Sequence, residues 1–250
     1  IEKAIQSNTN LIVTSHASNV TGTIFPIEAI GRIARNHGIP YLVDAAQTAG
    51  VLPINLSDLP VDMMAFPGHK GLLGPQGTGG LYIHPDIQLR SIRQGGTGSQ
   101  SDSIYQPDFL PDKFETGTMN TPGIAGLGAG VEEIMKEGQS GILAHENRLG
   151  KLFLEALSHM KQIKVYGPSD LSKQTGVISI NIGDKDSSEV ANLLDERYNI
   201  AVRGGLHCAP LAHKTIGTFR QGAVRFSYGL FNRLDEVKAC IKALEEISRM

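Results

Sequence analysis

Three segments of the chain carry side chains that could do chemistry. Val43-Asp44-Ala45-Ala46-Gln47 puts a carboxylate at the end of an apolar run and an amide three residues later. A carboxylate at the end of a buried strand needs a cation or a hydrogen-bond donor, because leaving it unpaired in a low-dielectric setting is costly. A protonated pyridine nitrogen would meet that need, and the pairing would keep such a ring an electron sink. The plainer use of the same residues is to cap a helix or meet a surface lysine. Phe66-Pro67-Gly68-His69-Lys70-Gly71 follows one strand later. A lysine there, among glycines that admit a bulky ligand, suits Schiff-base chemistry, since partial desolvation lowers its pKa. The third segment, Arg203-Gly204-Gly205-Leu206-His207-Cys208-Ala209-Pro210, sets a thiol in a Gly-rich loop with Arg203 and His207 nearby. That setting favours a thiolate over a thiol.

These residues must be held by elements that the hydrophobic pattern outlines. Leu11-Ile12-Val13-Thr14 reads as a buried strand running into a polar loop, Ser15 to Thr23. A helix is expected from about Pro26 to His37, with Pro26 at its start, Ile27, Ile30, Ile33 and Ala34 on one face, and Gly38 just past its end. Tyr41-Leu42-Val43 is a second strand. Strand, helix, strand order with short connections implies a right-handed crossover and a parallel sheet. Further strands are expected at Asp62 to Phe66 and Gly80 to His84, so Asp44 and Lys70 both fall at carboxyl ends of strands, where ligands sit in open α/β sheets.

The stretch from Gln94 to Pro122 is rich in Gly, Ser, Thr, Asp and Pro, and loops of that length are usually functional. Helices follow at Ile124 to Lys136 and Leu143 to Met160. The second is the expected connector to another domain. Strands are then expected at Lys164 to Tyr166, Val177 to Ile182, Ile200 to Arg203 and Ala223 to Tyr228. A helix is expected at Ser188 to Arg197, and a last one with Asn232 as N-cap and Asp235 three residues on. On Val224-Arg225-Phe226 the arginine alternates with two apolar residues, so it can point out of an otherwise packed strand.

Composition narrows the class. The chain has 250 residues, 40% hydrophobic and 19% charged, enough apolar material for one large core or two modest ones without disulfide or metal staples. A net charge of -2, with 23 basic and 25 acidic residues, offers no basic stripe for a phosphate backbone, so nucleic acid is not an expected partner. No apolar run approaches the roughly 20 residues that cross a bilayer, and a cytoplasmic, membrane-free location is expected. The two cysteines, Cys208 and Cys240, are far apart and read as free thiols in a reducing compartment, with Cys240 a structural residue on the apolar face of the last helix. The opening Ile1-Glu2-Lys3-Ala4-Ile5 reads like the end of a helix already in progress, so the chain is expected to lack an N-terminal portion.

Taken together, His16-Ala17-Ser18-Asn19-Val20-Thr21-Gly22, Asp44-Ala45-Ala46-Gln47, Gly68-His69-Lys70, Phe114-Glu115-Thr116-Gly117-Thr118, the Cys208 loop and Val224-Arg225-Phe226-Ser227 carry a resemblance. In order and spacing the chain resembles the class V aminotransferase superfamily, in particular its cysteine desulfurase and selenocysteine lyase branch. The resemblance implies an α/β protein of the pyridoxal-phosphate-dependent transferase type I fold: a mostly parallel sheet sandwiched by helices, with a smaller C-terminal α+β domain. Residues 1–137 would be the C-terminal part of the large cofactor-binding domain. Residues 138–250 would form the connecting helix and the small domain with the cysteine loop.

By the same resemblance Lys70 forms the Schiff base with pyridoxal 5'-phosphate and later moves protons. Asp44 pairs with the pyridine nitrogen, Gln47 contacts the phenolic oxygen, and His69 is a phosphate-side ligand. Asn19 and Arg225 hold the carboxylate of L-cysteine, with Asn19 also beside the cofactor. Thr118 reaches the cofactor phosphate of a neighbouring subunit, which implies a homodimer. Cys208 takes the substrate sulfur as a persulfide, for delivery to a sulfur-acceptor protein in iron-sulfur cluster assembly. Pro67 stands where relatives often have a hydroxyl residue on the phosphate. The family's glycine-threonine phosphate loop and its ring-stacking residue would lie upstream of Ile1, so this chain alone is expected to bind the cofactor weakly and to carry an incomplete sheet. Two further readings stay open: a selenocysteine lyase or other class V aminotransferase, and a non-catalytic sulfur-transfer or iron-sulfur assembly scaffold that binds partners through the loop at 94–122.

Overall fold

The computed structural model describes residues 1–250. The chain forms two sheets, each with its own core. The first sheet has the order β1 (Ile12–Ser15), β2 (Tyr41–Asp44), β3 (Met63–Pro67), β4 (Gly79–Ile83). β1, β2 and β3 are parallel, with Ser15 level with Asp44 and Asp44 level with Ala65, while β4 returns antiparallel along β3. Helix α1 (Ile27–Asn36) makes the crossover from β1 to β2 and starts directly after Pro26, as the spacing requires. Ile27, Ile30 and Ala34 are buried against Ile12, Tyr41, Val43 and Met64. The expected class, mixed α/β with a mostly parallel sheet, is the one observed.

After the long loop come α2 (Thr121–Glu137) and α3 (Gln139–Ser158). The helices break at Gly138, whose φ of 76° lies in the left-handed region that glycine adopts without a Cβ penalty. The second sheet is antiparallel, in the order β5 (Ile163–Tyr166), β6 (Val177–Ile182), β7 (Val224–Ser227). Around it pack α3, α4 (Ser187–Tyr198) and α6 (Leu234–Arg249), with a short α5 (Pro210–Thr215) beside the loop that follows α4. All six residues of β6 are buried. Ile178, Ile180 and Ile182 face a core that includes Leu149, Phe153, Leu194 and Leu244, while Ser179 and Asn181 face the other way and donate to the carbonyls of Val20 and Gly222. Each polar residue of this doubly buried strand thus has its donor paired, although Asn181 Oδ1 is left without a partner.

Two expectations are corrected. Ile200 to Arg203 is not a strand: the segment meets β7 only at its far end, where Arg203 and Gly205 exchange hydrogen bonds with Arg225 and Ala223, and residues 200–202 have no partner strand. The last helix is capped at Arg233 rather than Asn232. The Glu236 carboxylate accepts from the Arg233 N–H at 2.9 Å and from the Asn232 amide at 3.1 Å, so the acidic residue three along is Glu236, not Asp235.

The first loop joins the two sheets. Residues 18–24 follow β1 yet pair with the second unit: Thr175 N–H donates to Gly22 O at 2.9 Å, and Ile24 N–H donates to Lys173 O at 2.8 Å. Gly22 has a φ of 69°, and a Cβ there would run into the Val177 carbonyl. This docking brings Asn19 to the second sheet's unit.

Candidate active site

The two units meet at a cleft of about 530 Å³. Its walls include Asn19, Gln47 and Lys70 from loops of the first sheet, and Arg203, Cys208 and Arg225 from the second unit. Six residues separated by up to 206 positions in the chain are thus brought to one space. Of the other candidates, Asp44, His69 and Thr118 are exposed and stand outside the lining of this cleft.

The first-sheet side is built from two loops at the carboxyl ends of adjacent parallel strands. Asp44 ends β2, and its Oδ1 accepts from Ala46 N–H at 2.9 Å, opening the tight turn that carries Gln47. Lys70 follows β3. Its ammonium makes no hydrogen bond or ion pair. The side chains of Asp44 and Lys70 are exposed, so the burial assumed for both does not hold in this chain: β2 and β3 are short, and both residues sit beyond the packed part of the sheet. The glycines around Lys70 also have another use. Gly71 packs directly on the Ala49 carbonyl and Gly50 on the Gly71 carbonyl, while Gly74 and Gly80 meet Leu127 and the Phe66 ring. They seat the lysine loop against protein rather than opening it to a ligand. His16 and Thr48 lock the same region from below, with the His16 Nδ1 2.9 Å from the Thr48 hydroxyl and both residues buried.

The small-domain side is organised by arginines. Arg225 Nη1 donates to the Asn19 carbonyl at 3.1 Å, and the Asn19 amide donates to the His207 carbonyl at 2.8 Å. Burial, then the nearby Arg203 charge, pushes the Arg225 guanidinium below its usual range, with Cys208 opposing. Its Nε is buried without any partner. The Arg225 side chain lines the cleft, and an arginine can bind a carboxylate through two parallel bonds.

Arg203 Nη2 donates to the exposed Cys208 Sγ at 3.3 Å, the cationic contact that stabilises a thiolate. His207, also expected to help the thiol, has both ring nitrogens engaged elsewhere, on the Arg203 carbonyl and on His213. His207 and Cys208 have φ values of 51° and 58°, left-handed conformations that cost about 1–3 kcal/mol each outside glycine. Cys240, by contrast, is buried in α6, where burial pushes its thiol up to about 12.

Glu146 was not legible as a cleft residue. It lies on α3, 4% exposed, and lines the cleft beside Tyr228. Burial pushes its carboxyl up to about 7, with the Gly176 N–H opposing, and its charge in turn helps burial raise the Tyr228 phenol. Below its ordinary value of 4.5 the group is protonated whether folded or not. Between 4.5 and about 7 the unfolded chain gives up the proton while the folded chain keeps it, so stability falls as pH rises, and above that window the loss is complete. Glu146→Gln is expected to remove this dependence and to stabilise the protein at pH 8 by on the order of 2–3 kcal/mol relative to wild type, with little difference at pH 4. Urea midpoints of the two proteins at both pH values check it.

The residues present fit a pyridoxal phosphate ring. Lys70, an amine without a partner, lines the cleft together with the amide of Gln47 and the guanidinium of Arg225, while the Asp44 carboxylate, held only by a backbone N–H, ends the neighbouring strand outside that lining.

Comparison with known proteins places the chain in a family. The chain is 38% identical, over its whole length, to a probable cysteine desulfurase of Methanothermobacter thermautotrophicus, of which it covers 63%. It is 34% identical over 97% of its length to a cysteine desulfurase of Escherichia coli O157:H7, of which it covers 59%. The apo structure of a cysteine desulfurase from Thermococcus onnurineus NA1 superposes with a TM-score of 0.86 at 36% identity, covering 99% of this chain and 62% of that one. The crystal structure of the Escherichia coli cysteine desulfurase CsdA, in its S-sulfonic acid form, gives 0.89 at 26% identity, covering 98% and 60%. The chain thus spans about 60% of the length of these relatives. With the model of the class-V aminotransferases matching residues 1–240, the chain belongs to the class-V aminotransferase family.

Proposed function

We propose that the protein is a pyridoxal-phosphate-dependent cysteine desulfurase that converts L-cysteine to L-alanine and keeps the sulfur on Cys208. One observation carries the reading: a thiol with an arginine 3.3 Å from its sulfur faces the same cleft as an unpaired lysine, from the opposite domain. When bound, pyridoxal phosphate supplies an electron sink that stabilises negative charge at the substrate α-carbon.

The chain's own residues do the rest. Lys70 holds the cofactor covalently at rest and moves a proton at the α-carbon when released. Asp44 would keep the pyridine nitrogen protonated, Gln47 would donate to the ring oxygen, and His69 would meet the phosphate. Arg225 and Asn19 fix the substrate carboxylate, which aims the β-carbon and its sulfur at Cys208. The Cys208 thiolate attacks that sulfur: a sulfur–sulfur bond forms, the carbon–sulfur bond breaks, and its electron pair stays with the carbon, which takes a proton to become the methyl group of alanine. The transferred sulfur is oxidised to the persulfide level as the β-carbon is reduced, so no outside oxidant is required. In this reading the active unit is a cytoplasmic homodimer, with Thr118 reaching the phosphate in the neighbouring subunit, and an acceptor protein takes the sulfur for iron-sulfur cluster assembly.

Arg225→Lys keeps the charge and loses the fork. It is expected to raise the KM for L-cysteine by about 10–100-fold, the loss of one charge-assisted hydrogen bond or a little more, with a smaller fall in kcat. Steady-state alanine production measures it, and an unchanged KM would remove Arg225 from the substrate site.

A further inference from the structure

Behind the Cys208 loop lies a line of three buried side chains. His207 is 2% exposed, His213 is fully buried and Thr218 is 2% exposed. His207 Nε2 is 2.9 Å from the Arg203 carbonyl, His207 Nδ1 is 3.1 Å from His213 Nε2, and His213 Nδ1 is 2.7 Å from the Thr218 hydroxyl.

The hydrogens in this line have one arrangement when both rings are neutral. A carbonyl only accepts, so His207 carries its hydrogen on Nε2. Its Nδ1 is then a lone pair, which requires His213 Nε2 to donate. His213 Nδ1 is left as an acceptor, and the Thr218 hydroxyl donates to it. Neutrality follows from place: both rings are buried, and burial holds His207 down at about 4, with the hydrogen bond to the Arg203 carbonyl opposing and the charge of Arg225 assisting. Every polar atom of the two rings is satisfied, so the line specifies one tautomer rather than merely filling space.

The line ends on the groups that seat the thiol. The Arg203 carbonyl accepts from the Arg225 N–H at 2.8 Å as well as from His207, and the Arg203 guanidinium reaches Cys208 Sγ. The carbonyl of His207 receives the Asn19 amide. His207 thus holds both ends of its own loop, at Arg203 and beside Cys208.

We propose that His213 and Thr218 are positioning residues for the Cys208 thiol: by fixing His207 in its Nε2-protonated tautomer, they hold Arg203 and the left-handed turn at 207–208 in the arrangement that keeps Arg203 on the sulfur. The proposal rests on the reading of Cys208 as the sulfur acceptor, but its test does not use sulfur transfer.

In the full chain with cofactor bound, the rate of Cys208 alkylation by iodoacetamide is followed against pH for wild type, His213→Leu and His213→Gln. The charged groups that share the cleft with the thiol, Arg203, Arg225, Lys70 and Glu146, are present in all three. His213→Leu fills the space without a donor and is expected to slow alkylation at neutral pH about tenfold and to move the profile to higher pH, as loss of a second layer of hydrogen bonds does elsewhere. His213→Gln places an amide donor near the lost Nε2–H and is expected to recover most of the rate. Nitrogen NMR of the wild-type imidazoles is expected to show His207 neutral with hydrogen on Nε2. A wild-type profile for a folded His213→Leu, a glutamine variant as slow as the leucine one, or His207 protonated on Nδ1 at neutral pH would each overturn the proposal. Normal results here together with no sulfur transfer to Cys208 would instead sink the desulfurase reading alone.

Discussion

Lys70→Ala is expected to abolish the borohydride-reducible attachment of pyridoxal phosphate to the chain and to lower alanine production from L-cysteine by on the order of 10³-fold or more, the scale at which enzymes lose a covalent catalytic group. The size follows from the two tasks that the proposed reading gives Lys70, holding the cofactor and moving the α-proton, with no other lysine in the cleft lining to replace it. His69 is the adjacent residue and an imidazole, but it lies outside the cleft lining. On the proposed phosphate-side role of His69, His69→Ala is expected to weaken cofactor retention without removing covalent attachment. Retention of a reducible linkage in Lys70→Ala would mean that another lysine carries the cofactor. The stability of the fold should change little, since Lys70 is exposed and makes no ion pair.

Cys208→Ala is expected to give the complementary result. The cofactor remains attached and still responds spectrally to L-cysteine, while sulfide release in the presence of a reductant falls by on the order of 10³-fold or more. The two variants thus divide the reaction between the two sides of the cleft. Cys240→Ala supplies the control: its thiol is buried and held protonated far above neutrality, so it should leave turnover near wild type. Sulfide release by Cys208→Ala at the wild-type rate would favour the selenocysteine lyase or aminotransferase readings over the desulfurase. A cofactor-free dimer would favour the scaffold.

The parts of the architecture written in short-range patterns were legible before any coordinates. Pro26, the apolar face of α1 and Gly38 mark a helix that the structure reproduces to within a residue at each end, and Val177 to Ile182 reads as β6 because Val177, Ile178, Ile180 and Ile182 form a short β-branched run. What the pattern could not carry is exposure and direction. Asp44 follows an apolar strand, so it reads as buried, yet it stands just past the last packed residue and is exposed. The glycines beside Lys70 read as room for a ligand, whereas their missing Cβ atoms make room for Ala49, Val51, Leu127 and Phe66, contacts set by tertiary packing.

The site shows the same division. Asn19, Gln47, Lys70, Cys208 and Arg225 could be named from the sequence, and the structure brings them to one cleft. His207 was named as a neighbour of the thiol, but its nitrogens serve the loop. Glu146, His213 and Thr218 carried no usable signal: a glutamate in an amphipathic helix and a histidine in a six-residue helix look like ordinary surface residues until the chain folds over them. The spacing His207 to His213, with Thr218 five residues further on, becomes meaningful only once α5 turns back beneath the loop.

The central claim is that sulfur leaves the substrate for one particular side chain across the cleft from Lys70. It is tested most directly by mixing the cofactor-loaded full chain with L-cysteine, without reductant, and weighing the peptides that contain Cys208 and Cys240. The expected result is a Cys208 peptide heavier by one sulfur atom, alanine formed in equal amount, and an unmodified Cys240 peptide. Alanine and sulfide produced while the Cys208 peptide stays unmodified, or the extra sulfur found on Cys240, would contradict it.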